Sequence, residues 1–203
     1  MHSPRRPERH AAALLAALLV AGCAVQRGID LPPMPDWESR RDVLAAIERF
    51  EFKGRVGVRA GDDGFNGNLR WRQDGEAFSA SVSGPLGIGT VRLEGAGRQV
   101  RVTDGDGEVH ELEDADRDLY ELYGWTLPVT SLRYWALGIP DPTLPASTEF
   151  GADGQLVRLV QRDWTLDITE YREDAGQLLP RRLTAVNHET RVRLVIDDWT
   201  FHD

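Results

Sequence analysis

Residues 69–83 have the sequence LRWRQDGEAFSASVS, in which apolar and polar side chains alternate on both sides of one turn signal, Asp74-Gly75. The apolar positions of the two halves are Leu69, Trp71, Phe78, Ala80 and Val82. A period of two is typical of a strand with one buried and one solvated face, and Asp-Gly is a frequent hairpin turn. The stretch therefore predicts two antiparallel strands that share an apolar face.

The same period of two recurs before and after this hairpin. Alternating apolar residues occur in segments 52–58, 91–93, 100–102, 164–168, 183–185 and 192–196. Short turn signals separate several of them, for example Gly61-Asp62-Asp63-Gly64. Strands that follow one another through short turns pair antiparallel, so we expect about ten strands in a single sheet.

Three segments have helical rather than strand periodicity. Residues 36–51 begin with Asp36, a good capping residue, and repeat apolar side chains at helical spacing. Residues 113–123 begin acidic, and residues 128–137 begin at a proline, as helix starts often do. We expect the first helix to lie on the main body and the other two to form an insertion between two halves of the sheet.

These elements predict a mainly β protein of the α+β class, with one curved antiparallel sheet. A long sheet with one apolar face must cover that face, and so few helical residues cover only part of it. The pattern is equally consistent with an apolar cavity under a helical lid and with a fully packed core.

The first 22 residues have the features of a lipoprotein signal peptide. Arg5, Arg6 and Arg9 precede an apolar run over 11–21, which is shorter than the roughly 20 residues that span a bilayer. The run ends in Val20-Ala21-Gly22-Cys23, a lipobox. We therefore expect cleavage before Cys23 and lipid on its thiol, the alternative being an ordinary signal peptide followed by an incidental cysteine.

Cys23 is the only cysteine of the chain, so it has no disulfide partner. Residues 23–35 contain Gly28 and three prolines, which favours an extended, lipidated tether. Residues 36–203 then form one folded domain, of a size that suits a single core.

The chain has a formal net charge of −9. Cleavage of the signal peptide removes a segment with a net charge of +2, so the mature protein is still more acidic. So acidic a protein has no overall attraction to nucleic acid or to anionic lipid. Membrane attachment is therefore expected from the lipid and from apolar contacts.

No motif in the sequence points to catalysis or to a metal. The histidines of the mature part, His110, His188 and His202, lie far apart without ligand spacing. Asp104-Gly105-Asp106-Gly107 lacks the later residues of a calcium loop and predicts a hairpin turn instead. A Ser-His-Asp set dispersed along the chain stays open as an alternative, because triads are recognised by geometry.

A loop of unusual composition, Gly84-Pro85-Leu86-Gly87-Ile88-Gly89, lies between two predicted strands. Leu86 either returns to the core or forms an exposed apolar tip. Burying one leucine in lipid is worth roughly 1.5–3 kcal/mol. That is too little to anchor a protein, but enough to bias how a tethered protein touches a membrane.

Motifs along nearly the whole mature chain resemble one known family. In order, they are the lipobox, Gly54-Arg55-Val56, Leu69-Arg70-Trp71-Arg72-Gln73, Gly84-Pro85-Leu86-Gly87, Leu127-Pro128-Val129, Leu132-Arg133-Tyr134-Trp135-Ala136-Leu137-Gly138, Leu159-Val160-Gln161 with Trp164, and Val192-Arg193-Leu194 closing at Asp198-Trp199. This ordered set is similar to the LolB family of outer-membrane lipoprotein receptors.

The resemblance implies an incomplete antiparallel barrel with a helical lid over an apolar cavity. It implies a monomeric receptor that accepts lipoproteins from the periplasmic carrier LolA and inserts them into the outer membrane, without ATP, catalysis or any cofactor beyond the lipid on Cys23. It places the family's exposed insertion leucine at Leu86, between Pro85 and Gly87, although Gly84 stands where the family often has Asn. Ala24, in place of Asp, removes the commonest signal for retention in the inner membrane.

Eight apolar residues are our candidates for the lining of the acyl-chain cavity. They are Trp71, Phe78, Val82, Val91, Leu93, Trp135, Trp164 and Ile196. Each of them also suits an ordinary core. Two other functions stay open, an envelope lipid-binding carrier or sensor without insertion activity, and a hydrolase with a dispersed triad.

Overall fold

A computed structural model describes residues 28–84, 89–123, 126 and 128–203. The helices in these ranges are α1 (Trp37–Ala45), α2 (Ala115–Tyr123) and α3 (Val129–Ala136). The strands are β1 (Arg49–Ala60), β2 (Asp63–Asp74), β3 (Ala77–Ser83), β4 (Thr90–Ala96), β5 (Gln99–Thr103), β6 (Val109–Leu112), β7 (Ala146–Phe150), β8 (Leu156–Gln161), β9 (Trp164–Asp174), β10 (Gln177–Val186) and β11 (Thr190–Phe201). Among these helices, none has the length and apolar character needed to cross a membrane.

The strands form one open antiparallel sheet in the order β6-β5-β4-β3-β2-β1-β11-β10-β9-β8-β7. Strands that are neighbours in the sheet are also neighbours in the chain, except at the seam between β1 and β11. The short strands β6 and β7 are the two edges, and α2 and α3 lie between them in the chain. The predicted single antiparallel sheet with a two-helix insertion is thus confirmed, with eleven strands described rather than about ten.

One face of the sheet, which we call the inner face, carries the core. In β1, Phe50 and Phe52 are buried, whereas Lys53, Arg55 and Arg59 are exposed on the opposite, outer face. On the inner face Phe52, Trp71 and Phe78 stack along three neighbouring strands, with ring centroids 6.0 and 4.8 Å apart. The alternation seen in the sequence therefore corresponds to a division between core and solvent.

The seam between β1 and β11 contains a bulge at Lys53/Gly54. A Cβ atom added at Gly54 would clash with the carbonyl oxygen of Val195. Because that neighbour is backbone of the paired strand, only glycine fits here.

Two parts of the sequence-based assignment are wrong in detail. The helix predicted over 36–51 ends at Ala45, and Phe50 belongs to β1, where it lies opposite Phe201. Strand pairing across the seam overrides the local helical spacing. The sequence does not predict β6, β7 and β8 as separate strands, because buried and exposed residues do not alternate regularly in them.

The two ends of the sheet differ in what they carry. The lower end holds the β2–β3 and β9–β10 turns and the end of β11, and the segment 28–31 lies against it. The N–H of Ile29 donates to the Phe201 carbonyl at 3.0 Å, and the N–H of Leu31 donates to the Ala175 carbonyl at 2.8 Å. Part of the predicted tether is therefore docked on the sheet. The upper end holds the β1–β2 and β10–β11 turns and the β3–β4 connection.

Candidate functional site

Seven of the eight predicted cavity residues lie on strands at the inner face, and the eighth, Trp135 of α3, packs against that face. Trp71, Phe78, Trp135, Trp164 and Ile196 are buried, and Val82, Val91 and Leu93 are partly buried and packed against the same cluster. The cluster is continuous from β4 through the seam to β9 and includes α3. That these residues line an acyl-chain cavity stays a prediction.

Helix α3 is fixed to one half of the sheet through a buried amide. The indole N–H of Trp135 donates to Gln161 Oε1 at 2.9 Å, and Gln161 Nε2 donates to the carbonyls of Asp141 and Leu144 at 2.8 and 3.1 Å. The N–H of Asp141 donates to the same Oε1 at 3.0 Å. Gln161 is only 1% exposed, so these bonds satisfy the whole amide group inside the core.

A second buried contact holds the chain just after α3. The Ser131 hydroxyl donates to Asp141 at 3.0 Å, and Asp141 also accepts from the N–H and the hydroxyl of Thr143 at 2.9 and 2.7 Å. Ser131 and Asp141 are both buried. This serine–carboxylate pair therefore has a structural explanation in the anchoring of α3.

The same helix reaches the other half of the sheet through Arg133. Its Nη1 donates to the Gly75 carbonyl in the β2–β3 turn at 2.9 Å and lies 3.4 Å from Glu76 Oε1. The guanidinium carbon lies 4.7 Å from the centroid of the Tyr134 ring. Helix α3 thus spans the inner face from β8 to the β2–β3 turn and acts as the central part of the helical lid.

Helix α2 covers the inner face beside β6. Ala115 and Leu119 are buried in the core, whereas Arg117 and Tyr120 are exposed. Thr126, between the two lid helices, accepts from Asn187 Nδ2 at 2.9 Å in the β10–β11 turn. The lid is therefore attached to the sheet at several separate places by hydrogen bonds.

A pocket of about 150 Å³ lies where α3 meets β2 and β3. Phe78 lines it together with Gln73, Val129 and Tyr134. Pockets that hold small molecules generally measure about 300–1,000 Å³. The pocket is therefore smaller than the sites that usually hold small molecules.

The acidic turn after β5 is a hairpin, as predicted. Asp104 Oδ1 accepts from the N–H groups of Asp106 and Glu108, both at 2.9 Å. Asp104, Glu108 and His110 bring one ligand atom each within 4.8 Å of the others. The carboxylate of Asp104 already has a structural role in the turn, which explains its position without an ion.

The other predicted site residues, Cys23, Pro85, Leu86 and Gly87, lie outside the described residues. Conversely, the sequence did not single out Gln161 or Arg133 as site residues. Gln161 carries a recognisable signal, because it is polar and in phase with the buried Leu159 of the same strand. Arg133 carries no such signal, since its partner lies in a distant turn.

Comparison with known proteins adds family and fold relationships. A family model described as outer membrane lipoprotein LolB matches residues 48–199. Similar proteins include the outer-membrane lipoprotein LolB of Cellvibrio japonicus, which is 31% identical and aligned over 92% of this chain and 94% of that protein. The outer-membrane lipoprotein LolB of Nitrosococcus oceani is 34% identical, with the same coverage of 92% and 94%.

A solved structure supports the fold. The LolA superfamily protein NE2245 from Nitrosomonas europaea superposes with a TM-score of 0.50 at 9% sequence identity, covering 78% of this chain and 88% of that one. At this identity the similarity shows a shared fold and nothing finer.

Proposed function

Because the chain belongs to the LolB family of outer-membrane lipoproteins, we propose that it is a receptor that accepts lipoproteins from the periplasmic carrier LolA and inserts them into the outer membrane. It sits on the periplasmic face of that membrane, held by lipid on Cys23. It catalyses no reaction, and it needs neither ATP nor a cofactor beyond this lipid. The observation that carries the proposal is the continuous apolar inner face closed by a lid that is attached through a few polar contacts.

The chemistry of the cargo requires such a face. Exposing an acyl chain to water costs about 0.8 kcal/mol per CH₂, so a chain of roughly 16 carbons costs on the order of 12 kcal/mol. A lipoprotein therefore needs an apolar container at each step between membranes. A lining made of Trp, Phe, Val, Leu and Ile binds acyl chains without a strong polar anchor, which suits a receptor that must also release them.

Loading requires the lid to move. The closed pocket next to α3 is small, whereas the apolar cluster beneath the lid is extensive. Displacing α2 and α3 exposes this cluster and gives an acyl chain access to the inner face. The carrier then docks on the lid side, since transfer requires its own cavity to meet this one.

A transfer assay tests the proposal. Carrier loaded with a labelled lipoprotein is mixed with this protein, and liposomes are added afterwards. The label is expected first on the receptor and then in the liposomes. If the protein holds lipid but takes no cargo from the carrier, it is a lipid-binding carrier or sensor instead.

The role of Leu86 is tested in the same assay. Leu86→Glu is expected to receive cargo at the normal rate and to deliver little of it, because a carboxylate does not enter the apolar part of a bilayer. Leu178→Glu is the matched control, since Leu178 is a leucine 45% exposed at the lower end of the sheet. Normal delivery by Leu86→Glu would show that Leu86 has no part in insertion.

A further inference from the structure

Six basic side chains on the outer face of the sheet have no carboxylate partner among the residues that the structure describes. We call them the outer-face cations; they are Lys53, Arg59, Arg70, Arg92, Arg191 and Arg193. All six are exposed. Arg55 and Arg72 on the same face differ from them, because they pair with Asp197 and Glu51 at 2.9 and 3.7 Å.

Three of the six surround a groove at the seam. Arg59 lies directly opposite Arg191, and Arg193 lies opposite Gly57. A Cβ at Gly57 would meet no atom of the described residues closer than 3.9 Å, so the floor of the groove is open. The groove measures about 760 Å³, with Asn66 and Asp62 among its lining residues. Like charges placed directly opposite each other destabilise a strand pair, and an anion bound between them removes that repulsion.

The other three form a row across neighbouring strands. Arg92 is paired in register with Ser81, Ser81 with Arg70, and Arg70 with Lys53. Together the two groups form a basic band across β4, β2, β1 and β11. Three carboxylates also line this surface, Glu51 and Glu94 beside the row and Asp62 beside the groove, but the six cations outnumber them. The band is therefore locally positive although the chain as a whole has a net charge of −9.

The position of the anchor limits how the protein meets a membrane. Gly28 lies next to the lower end of the sheet, close to Thr200 and Phe201. The five residues from Cys23 to Gly28 span at most about 18 Å. From Phe50, opposite Phe201, to Ala60 at the upper end, β1 extends about 30 Å. A protein standing on its upper end would hold the anchor out of reach of the bilayer. One standing on its lower end would hold the β3–β4 connection, which contains Leu86, away from the bilayer. Under the proposed function both ends meet the membrane, which requires the protein to lie along its strands.

We propose that the outer-face cations bind the phosphate headgroups of anionic phospholipids, so that the anchored protein lies on the outer face of its sheet. The inner face and the lid then point into the periplasm, where the carrier arrives. The inference rests on the proposed function for the lipid anchor at Cys23. The outer face suits a headgroup surface better than it suits the carrier, because cargo must enter through the lid on the opposite side.

Headgroup proximity measures this orientation directly. Ser81 lies between Arg70 and Arg92 on the outer face, and Tyr120 is exposed on α2. Ser81→Cys or Tyr120→Cys gives the lipidated protein a single free thiol for a fluorophore, since its native cysteine carries the lipid. The protein is reconstituted into vesicles of phosphatidylcholine and phosphatidylglycerol in a two-to-one ratio that contain a headgroup-attached quencher.

We expect the label at residue 81 to be quenched at least about twofold more than the label at residue 120, because anionic lipid attracts basic residues near its surface. Salt at about 1 M reduces the Debye length to about 3 Å and should remove the difference, as should vesicles of phosphatidylcholine alone. The variant R59Q/R191Q/R193Q should lose at least about half of the quenching at residue 81. R41Q/R117Q/R158Q is the control, because it removes the same charge from exposed arginines that pair with acids elsewhere.

Three results overturn the proposal. The first is equal quenching in R59Q/R191Q/R193Q and in the unmodified receptor, and the second is stronger quenching at residue 120 than at residue 81. The third is a variant that keeps its headgroup proximity but no longer binds the loaded carrier, which would make the band a docking site for that protein. Quenching is measured before any carrier is added. If the label at residue 81 is quenched as expected and the protein then accepts no cargo, the receptor function is contradicted and the proposed orientation is supported.

Discussion

Single residues determine how firmly the helices and turns are held to the sheet, and Tyr171 shows this at the lower end. Its hydroxyl donates to the Leu156 carbonyl at 2.8 Å. The buried Arg40 of α1 places its guanidinium carbon 5.8 Å from the centroid of the Tyr171 ring and donates to the Leu178 carbonyl at 2.5 Å. Burial raises the pKa of Tyr171 well above its usual value and lowers the pKa of Arg40. The Tyr171 hydroxyl therefore stays protonated in the folded protein at pH values where an exposed tyrosine ionises, and it keeps its hydrogen bond to Leu156.

Tyr171→Phe should lower the free energy of unfolding at neutral pH by about 1 kcal/mol, through loss of the hydrogen bond to Leu156. Above about pH 10 the unfolded tyrosine ionises while the folded one stays protonated, so the stability of the unmodified protein falls as pH rises. Tyr171→Phe has no hydroxyl to ionise at this position, so its stability lacks this decrease. The unfolding free energies of the variant and of the unmodified protein should therefore converge as pH rises. Urea unfolding between about pH 8 and 11 measures the convergence. Tyr120→Phe is the control. If the difference in unfolding free energy between Tyr171→Phe and the unmodified protein stays constant with pH, the raised pKa of Tyr171 is contradicted.

The sequence predicts which apolar residues share a face better than it predicts polar contacts. Trp71, Phe78 and Trp164 follow from alternation, because the phase of a strand fixes which side chains share a face. The hydrogen bond between Arg133 and the Gly75 carbonyl does not follow, since it depends on the position of α3 relative to a turn far away in the chain. The basic band does not follow from the local sequence either, because Arg59 lies opposite Arg191 only through the register of β1 and β11 at the seam.

At the scale of elements, β1 carries two glycines with opposite requirements. Gly54 faces the Val195 carbonyl at the bulge with no space for a side chain, whereas Gly57 is open. Gly54→Ala should destabilise the protein by about 2 kcal/mol or more, because the paired backbone must shift. Gly57→Ala should be neutral or stabilise it by up to about 0.5 kcal/mol, since alanine is favoured over glycine inside a strand. Urea unfolding compares the two variants, and equal effects would exclude the steric explanation.

Element types were easier to predict than element ends. The helix start at Asp36 is confirmed, because a side-chain cap is a local feature, and the Ser39 N–H donates to this carboxylate at 2.8 Å. The helix end was placed several residues too late, since Phe50 satisfies a helical pattern locally and a strand pattern across the seam. Tertiary pairing decided between the two.

For the whole molecule, α3 joins the two halves of the sheet through Arg133 and Trp135. Under the proposed function, displacement of this helix admits an acyl chain. Arg133→Met keeps the apolar stem of the side chain and removes the bond to the β2–β3 turn. A hydrogen bond to a charged group is worth about 1.5–3 kcal/mol. If that bond stabilises only the closed form, its loss should tighten the binding of a fluorescent fatty acid about tenfold.

Arg117→Met is the matched control for this measurement. Arg117 is exposed on α2 and pairs with the adjacent Asp118, so its loss leaves the closed lid intact. Unchanged affinity in Arg133→Met would show that this arginine does not hold the lid closed.

The sequence leaves open whether the inner face encloses a cavity or a packed core. In the structure the apolar residues of this face pack against α3, and under the proposed function the same residues would line a cavity once the lid is displaced. Periodicity reports only that a face is apolar. It carries no information about whether helices or acyl chains cover that face.

The seam has a further consequence for the order of folding. Nearly every strand pairs with its neighbour along the chain, so hairpins form early. The pairing of β1 with β11 comes later, because these two strands lie at opposite ends of the sheet-forming chain. Closing so long a loop is slow. Until it closes, Phe52 and Trp199 cannot form their ring contact, in which the centroids lie 5.1 Å apart in the folded protein. Two half-sheets with bare edges are aggregation-prone. We therefore expect a chain truncated before its last strand to be a substrate for proteases and chaperones, and not a receptor of reduced capacity.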